Sequence, residues 1–368
     1  MSSIRLYRFG IPFHSEFITA TGRYSHRSGL FLHFRDGPLD VLSEISPLPG
    51  FSGETIQQAE EEVIQHADAI HAVASKSESL DDAARRCADL SLSPSVAFGV
   101  SCMALGVLSQ RLNISIPALF QIRALPAIQK NATISAGTQK EMVNAMEKAV
   151  QAGFQTIKCK LTPEYGPLLK VLEKIHQTYP GCTFRLDANR SLPIEETPSV
   201  LRSFRHLPVE YVEEPCACSS IGEKKELITA SPLPIAFDES ITSFASLREH
   251  LLMEQQPILV VKPALFGSVF DLTATFRRHH DLSNNRLVFS TLLESIVGIR
   301  ILDVLAALFG SRMHAQGLAT DSLFAKPVVQ NQPGINPMES IHQGTGWGVR
   351  FGDLRPDARS LIFEHHAD

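Results

Sequence analysis

The chain has 368 residues, 44% hydrophobic and 20% charged, an ordinary globular balance that excludes the disordered, fibrous and disulfide-scaffold classes. Its net charge of -5, from 34 basic and 39 acidic residues with no Lys/Arg-rich run, gives no reason to expect a nucleic-acid partner. The first residues form no apolar leader and no stretch approaches roughly 18 uncharged apolar residues, so a cytoplasmic protein without a membrane partner is expected.

In chain order, Ile4 to Ile45 shows short alternating runs broken by Gly, Pro and Asp turns, which predicts an antiparallel meander. Ser52-Gly53-Glu54 opens a helical pattern with Ile56, Ala59, Val63, Ala67 and Ile70 on one face and acid in its first turn. Ser93-Pro94 starts a second helix, apolar nearly all round to Arg111 and therefore buried. These segments make an α+β unit over residues 1–125. After Pro126, apolar runs near Ile134, Ile157, Phe184, Tyr211, Ile235, Leu259, Val288 and Met313 recur every roughly 22 to 29 residues with helical stretches between, including Lys140 to Ala152 and Tyr165 to Thr178. Eight such units over residues 126–326 make an α/β barrel. A doubly wound sheet has the same spacing, but it gathers a ligand at one switch point, whereas here five successive strands each end in a charge. Residues 327–368 lack the repeat: Pro327, Pro333, Gly334 and Pro337 precede a Trp347 to Phe351 run expected to return to the first unit as an added strand.

Those charged strand ends are Lys158-Cys159-Lys160, Asp187-Ala188-Asn189, Glu213-Glu214-Pro215, Asp238-Glu239-Ser240 and Lys262-Pro263. Side chains alternate along a strand, so Lys158 and Lys160 share the inward face, and two neighbouring cations are expected to lower a lysine pKa toward that of a general base. Asp187, Glu213 and Asp238, about one β/α unit apart, form a hard, all-oxygen set of the kind Mg2+ prefers. Singly, each acid is more often a helix cap; their joint spacing carries the metal reading. Arg185 and Asn189 share the parity of Asp187 and are expected inside, Asn189 nearer the rim. Glu214 and Glu239 have the opposite parity and are expected behind the site. Lys262 ends the apolar run Ile258 to Val261 and should point into the mouth, placed to stabilise negative charge or act as a second base.

There is no phosphate-cradling glycine loop and no Gly-x-Ser-x-Gly elbow, which argues against nucleotide use and nucleophilic hydrolysis. The six cysteines lack zinc-site spacing and are expected as reduced thiols, with Cys159 packed between barrel and helices.

A lysine pair followed by Asp, Glu and Asp on the next three strands and then a lysine resembles the enolase superfamily in its muconate-lactonizing-type branch. Glu44-Ile45-Ser46-Pro47-Leu48-Pro49-Gly50-Phe51-Ser52, Arg185 to Arg190, Glu213 to Cys216 and Lys262-Pro263 are similar to the o-succinylbenzoate synthase family of menaquinone biosynthesis within it. The resemblance implies a modified TIM barrel of the (β/α)7β type under an N-terminal α+β capping domain completed by the C-terminal segment. It implies Mg2+, with Mn2+ as a substitute, on Asp187, Glu213 and Asp238, and a small-molecule dicarboxylate as partner. Lys160 would be the base, Lys158 its partner, and Lys262 would face the enolate. The implied reaction is syn dehydration of 2-succinyl-6-hydroxy-2,4-cyclohexadiene-1-carboxylate through an enediolate intermediate, with Asn189, Ser290 and Gly317 contacting substrate. Segments resembling Thr19 to Arg27 and Pro47 to Gly53 would cover the mouth. The alternatives on the same scaffold are an N-acylamino acid racemase or dipeptide epimerase using Lys160 and Lys262 as opposed bases, and a noncatalytic binding protein. The last predicts a broken acid or lysine set, and none is seen.

Overall fold

The protein is described here by a computed structural model covering residues 2–19, 22–122, 125–280, 285–320, 323–330 and 344–366. The expected meander is present as β1 (Ser3–Thr19), β2 (Gly22–Asp36) and β3 (Leu39–Ile45), antiparallel in that order. Leu30, Phe31, Leu32 and Phe34 of β2 are all fully buried and His33 is nearly so, so both faces of this strand are covered at its centre.

The first helical pattern resolves into α1 (Ile56–Gln65) and α2 (Ala67–Lys76), separated at His66. Thr55, not the Ser52 segment, is the N-cap of α1, in a capping box with Gln58, and the first turn carries no acid. Glu54 lies one residue earlier and serves another helix: its Oε1 accepts from Ser95 N at 2.8 Å. That helix is α4 (Pro94–Leu112), which follows α3 (Leu80–Ala88). Contrary to the expectation that no stretch comes near membrane-spanning length, α4 could cross a bilayer by length and hydropathy, but it is buried among β3 and the neighbouring helices, so its apolar girth is core. Gly99 permits the close packing, because a Cβ there would meet Ile45 Cγ1 at 2.3 Å and Glu44 O at 2.9 Å.

After the short α5 (Ile116–Leu119), seven parallel strands alternate with helices: β4 (Ala132–Ile134), α6 (Gln139–Gln151), β5 (Thr156–Lys160), α7 (Gly166–Thr178), β6 (Thr183–Asp187), α8 (Thr197–Arg202), β7 (Val209–Glu213), α9 (Ile221–Ala230), β8 (Ile235–Phe237), α10 (Phe244–Leu251), β9 (Ile258–Val261), α11 (Val269–Arg278), β10 (Leu287–Phe289) and α12 (Ile296–Phe309). The eighth strand differs from expectation. It is reduced to bridges from Gln316 to Lys130 and from Gly317 to Ser290, which join the two edges of the sheet, while Met313 is 73% exposed. Gln316 N donates to Gln129 O at 2.7 Å and Gly317 N to Phe289 O at 2.8 Å, so two residues suffice for closure.

The barrel strands sort their residues by parity. Ile157, Cys159, Phe184, Leu186, Val212, Phe237, Leu259, Val261 and Phe289 pack outward into the helix layer. Tyr211, Ala236, Val260 and Val288 form a separate apolar layer inside. A bulge in β7 leaves Glu210 without a partner opposite β6, where Phe184 pairs with Val209 and Arg185 with Tyr211. Glu210 thereby reaches the barrel floor, accepting from Arg185 Nε at 2.5 Å and His314 Nδ1 at 2.6 Å. All six cysteines are free thiols, and burial pushes Cys159 up to about 12.

The C-terminal segment does return to the first sheet, by a different strand than expected. β11 (Ser360–His366) pairs antiparallel with β1, whereas Trp347 is buried against α4 with Nε1 donating to Cys102 O at 2.9 Å. Phe351 stacks on His33 with centroids 4.2 Å apart. Pro333, Gly334 and Pro337 lie outside the described residues.

Sheet and barrel meet at Glu44 of β3. Its carboxylate accepts from Ser46 Oγ at 2.5 Å, Ser295 N at 2.9 Å, Gly298 N at 2.9 Å and Ser295 Oγ, so it caps α12 from another part of the fold. Glu44→Ala strands four buried donors and is expected to cost about 3 kcal/mol, read as a lower urea midpoint with an unchanged slope.

Candidate active site

The C-terminal ends of five neighbouring barrel strands carry the chemistry. Across the sheet Lys160 lies opposite Asp187, and Asp187 opposite Glu213. Glu213 pairs with Ala236, which puts Asp238 two residues further on the same inward face, and Lys262 likewise follows inward-facing Val260. In the ring of strands β5 and β9 stand four steps apart, so Lys160 and Lys262 face each other across the barrel.

Lys158 Nζ donates to Glu213 Oε1 at 2.6 Å and lies 2.9 Å from Asp187 Oδ2. Burial lowers the Lys158 pKa, but Asp187 and Glu213 outweigh it and hold the ammonium well above the ordinary lysine range. The expected lowering for this lysine is therefore overturned, because its nearest charges are carboxylates on the adjoining strands and not its neighbour Lys160. Lys160 is exposed and its ammonium makes no hydrogen bond or ion pair among the described residues. Lys262 Nζ donates to both oxygens of Asp238, at 2.6 and 2.5 Å, and sits 4.5 Å above the ring of Phe51. Burial pulls Lys262 down and Asp238 more than restores it, leaving it raised. Asp238 is held low by Lys262 and Lys158 against its own burial.

Burial pushes the Glu213 carboxyl well above its usual range, and Asp187 and Asp238 push the same way against Lys158. Glu239 was expected behind the site, yet it takes part in the acidic cluster: Asn189 Nδ2 donates to its Oε1 at 2.5 Å, its Oε2 is buried without a partner among the described residues, and burial followed by Asp238 and Asp187 raises its pKa. The reason is that β8 ends at Phe237, so strict alternation no longer governs residue 239. Glu214 does lie behind, accepting from Asp238 N at 3.1 Å, Ser240 N at 2.7 Å and Arg190 Nε at 3.0 Å. Arg185 is inside as expected, 4.6 Å from the Tyr211 ring centroid. Ser290 and Gly317 sit side by side where the barrel closes, and a Cβ on Gly317 would meet Ser290 Oγ at 3.2 Å. Phe51 carried no chemical signal in the sequence beyond its place in the Glu44 to Ser52 motif.

As the side chains stand, no three acid, His or Cys groups among the described residues converge on one point as metal ligands do; the ammonium groups of Lys158 and Lys262 lie among the oxygens. The donor set nevertheless fits a hard divalent cation. Asp187, Glu213, Asp238 and Glu239 exceed the two paired lysines by two negative charges when ionised, they supply only oxygen, and Glu239 Oε2 is unpaired among the described residues.

Residues 1–107 match the family model of the MenC N-terminal domain, and residues 141–281 match the enolase C-terminal domain-like model. The o-succinylbenzoate synthase of Yersinia pseudotuberculosis serotype O:1b (strain IP 31758) is 28% identical over 344 residues, spanning 90% of this chain and 94% of that one. Among solved structures, o-succinylbenzoate synthase from Thermosynechococcus elongatus BP-1, complexed with Mg in the active site, superposes with a TM-score of 0.70 at 22% identity over 88% of this chain and 94% of that one. N-succinyl Arg/Lys racemase from Bacillus cereus ATCC 14579 superposes with a TM-score of 0.79 at 16% identity over 99% and 98%. The superposition with the racemase is no worse, so the fold alone does not choose between the two activities.

Proposed function

This chain is an enzyme of the enolase superfamily, a MenC N-terminal domain joined to an enolase C-terminal domain-like barrel, and from that premise we propose that it is an o-succinylbenzoate synthase. The coarser reading, a dehydratase of that type or a related racemase, follows from its relatives. The observation that carries the finer one is the N-terminal match: the MenC-type unit holds Glu44 and the Pro47 to Gly53 loop, and curated relatives with the synthase name align across both units. The division into a cap, residues 1–125 with 327–368, and a barrel, residues 126–326, belongs to the same proposal, as does a cytoplasmic location.

In this reading Asp187, Glu213 and Asp238 would hold Mg2+, with Mn2+ as a substitute, and Asn189 keeps Glu239 in place beside them. The bound cation would offset the negative charge that grows on the substrate carboxylate as its α-proton leaves. Lys160, as the free amine, takes that proton from C1 of 2-succinyl-6-hydroxy-2,4-cyclohexadiene-1-carboxylate. It then returns a proton to the departing C6 hydroxyl, so water leaves, the ring becomes aromatic and the lysine is restored. One base on one face makes the elimination syn. Lys158 keeps Asp187 and Glu213 oriented, and Lys262, fixed by Asp238 and Phe51, presents positive charge from the opposite side. Ser290 and Gly317 would receive the succinyl arm.

The racemase reading keeps one supporting observation, the placement of Lys160 and Lys262 on opposite strands of the barrel. Two bases on opposite faces would exchange the α-proton of an N-succinylamino acid. Assaying both substrates decides: kcat/KM for the cyclohexadiene is expected to exceed that for N-succinyl-arginine by about 100-fold or more. Racemisation followed in D2O that outpaces dehydration would transfer the assignment to a racemase.

A further inference from the structure

Arg27, near the middle of β2, is 4% exposed and makes no ion pair among the described residues, with the carboxylates of Glu294 and Glu44 acting on it only from further off. All three of its nitrogens instead donate to main-chain carbonyls. Nε reaches Leu292 O at 3.2 Å and Leu293 O at 3.1 Å; Nη1 reaches Ser28 O at 2.5 Å and Pro47 O at 3.0 Å; Nη2 reaches Ser46 O at 2.6 Å. Two of the tethered segments flank the proposed site. The Pro47 loop carries Phe51, whose ring covers Lys262. The turn at 291–294 follows directly on Ser290, and it contains Leu293 at φ +62, a left-handed conformation a leucine rarely adopts. Thr291 Oγ1 and Glu294 Oε2 tie the inside of this turn, with Leu293 N donating to Thr291 Oγ1 at 2.6 Å and Leu292 N to Glu294 Oε2 at 2.6 Å. Arg27 holds its outer carbonyls. Arg27, Pro47, Leu48 and Leu293 also border one cavity of about 470 Å³.

We infer that Arg27 is a positioning residue that fixes the Phe51 loop and the turn behind Ser290 against each other, and so sets the width of the space that receives the far end of the substrate. It touches neither the lysines nor the carboxylates of the barrel mouth, so it acts on binding and not on proton transfer. The kinetic part of this inference rests on the proposed dehydration; the structural part does not.

Arg27→Lys and Arg27→Met are compared with the unaltered protein by hydrogen exchange and by kinetics. The strand pairings of β2 do not use this side chain, so both variants are expected to fold. Amides of Phe51 and Ser52, bonded to Leu48 O, and of Leu292 and Leu293 are expected to exchange about tenfold or more faster in both, with α4 unchanged. Lysine should not rescue, because one ammonium cannot span five carbonyls in three segments. KM for the cyclohexadiene is expected to rise about tenfold with kcat within about threefold. Unchanged exchange at both segments, or a kcat loss at constant KM, overturns the inference. Faster exchange at both segments in a protein without dehydratase activity would retain the tether and sink the proposed reaction instead.

Discussion

Replacing Lys160 by alanine is expected to lower turnover of the cyclohexadiene by on the order of 10²–10⁴-fold while leaving stability within about 0.5 kcal/mol. The asymmetry follows from where the side chain sits. Lys160 closes β5 on the inward face, exposed and without a partner for its ammonium among the described residues, so its removal breaks no folded contact. Lys158, two residues earlier, is locked between Asp187 and Glu213, and Lys262 is locked on Asp238, so neither amine is as free to exchange a proton. A Lys160→Ala protein that bound substrate and turned over normally would remove this lysine from the mechanism and leave Lys262 as the next candidate base.

Glu213→Gln should have the second large effect. This carboxyl group is 1% exposed, lies between Asp187 and Asp238 in the run of strands, and accepts from Lys158. An amide of the same shape removes one negative charge from the cluster and offers Lys158 an NH2 group in place of an oxygen. Magnesium affinity measured by calorimetry is expected to fall together with turnover, the latter by several kcal/mol of lost charge stabilisation, on the order of 10³-fold. Intact magnesium binding in Glu213→Gln would exclude this residue as a ligand. Circular dichroism of the same variant separates loss of the metal from loss of the fold.

The barrel and the set of residues at its mouth were readable because strand parity survives in short parallel strands. Ile157 and Cys159 outside oblige Lys158 and Lys160 to lie inside, and the same alternation places Asp187 and Glu213 and, carried one residue past the ends of β8 and β9, Asp238 and Lys262. Parity says nothing about stagger between strands. Which acid falls beside which lysine is set by the register of β5, β6 and β7, and that register made Lys158 an ion-paired cation, not one half of a repelling pair. Alternation also stops where a strand stops, which is why Glu239 joins the cluster against expectation. Met313 marked an apolar run without a strand, because Gln316 and Gly317 close the barrel with two residues. Glu44 and Arg27 reach partners more than 250 positions away, and no local pattern encodes such contacts.

The central claim is chelator-sensitive dehydration by this chain, and ultraviolet absorbance tests it most directly. Purified protein is given 2-succinyl-6-hydroxy-2,4-cyclohexadiene-1-carboxylate with Mg2+, then with excess chelator, and formation of the aromatic product is followed. Conversion that stops on chelation and resumes when Mg2+ is restored is the predicted result. No conversion by protein that demonstrably binds Mg2+ would contradict the assignment.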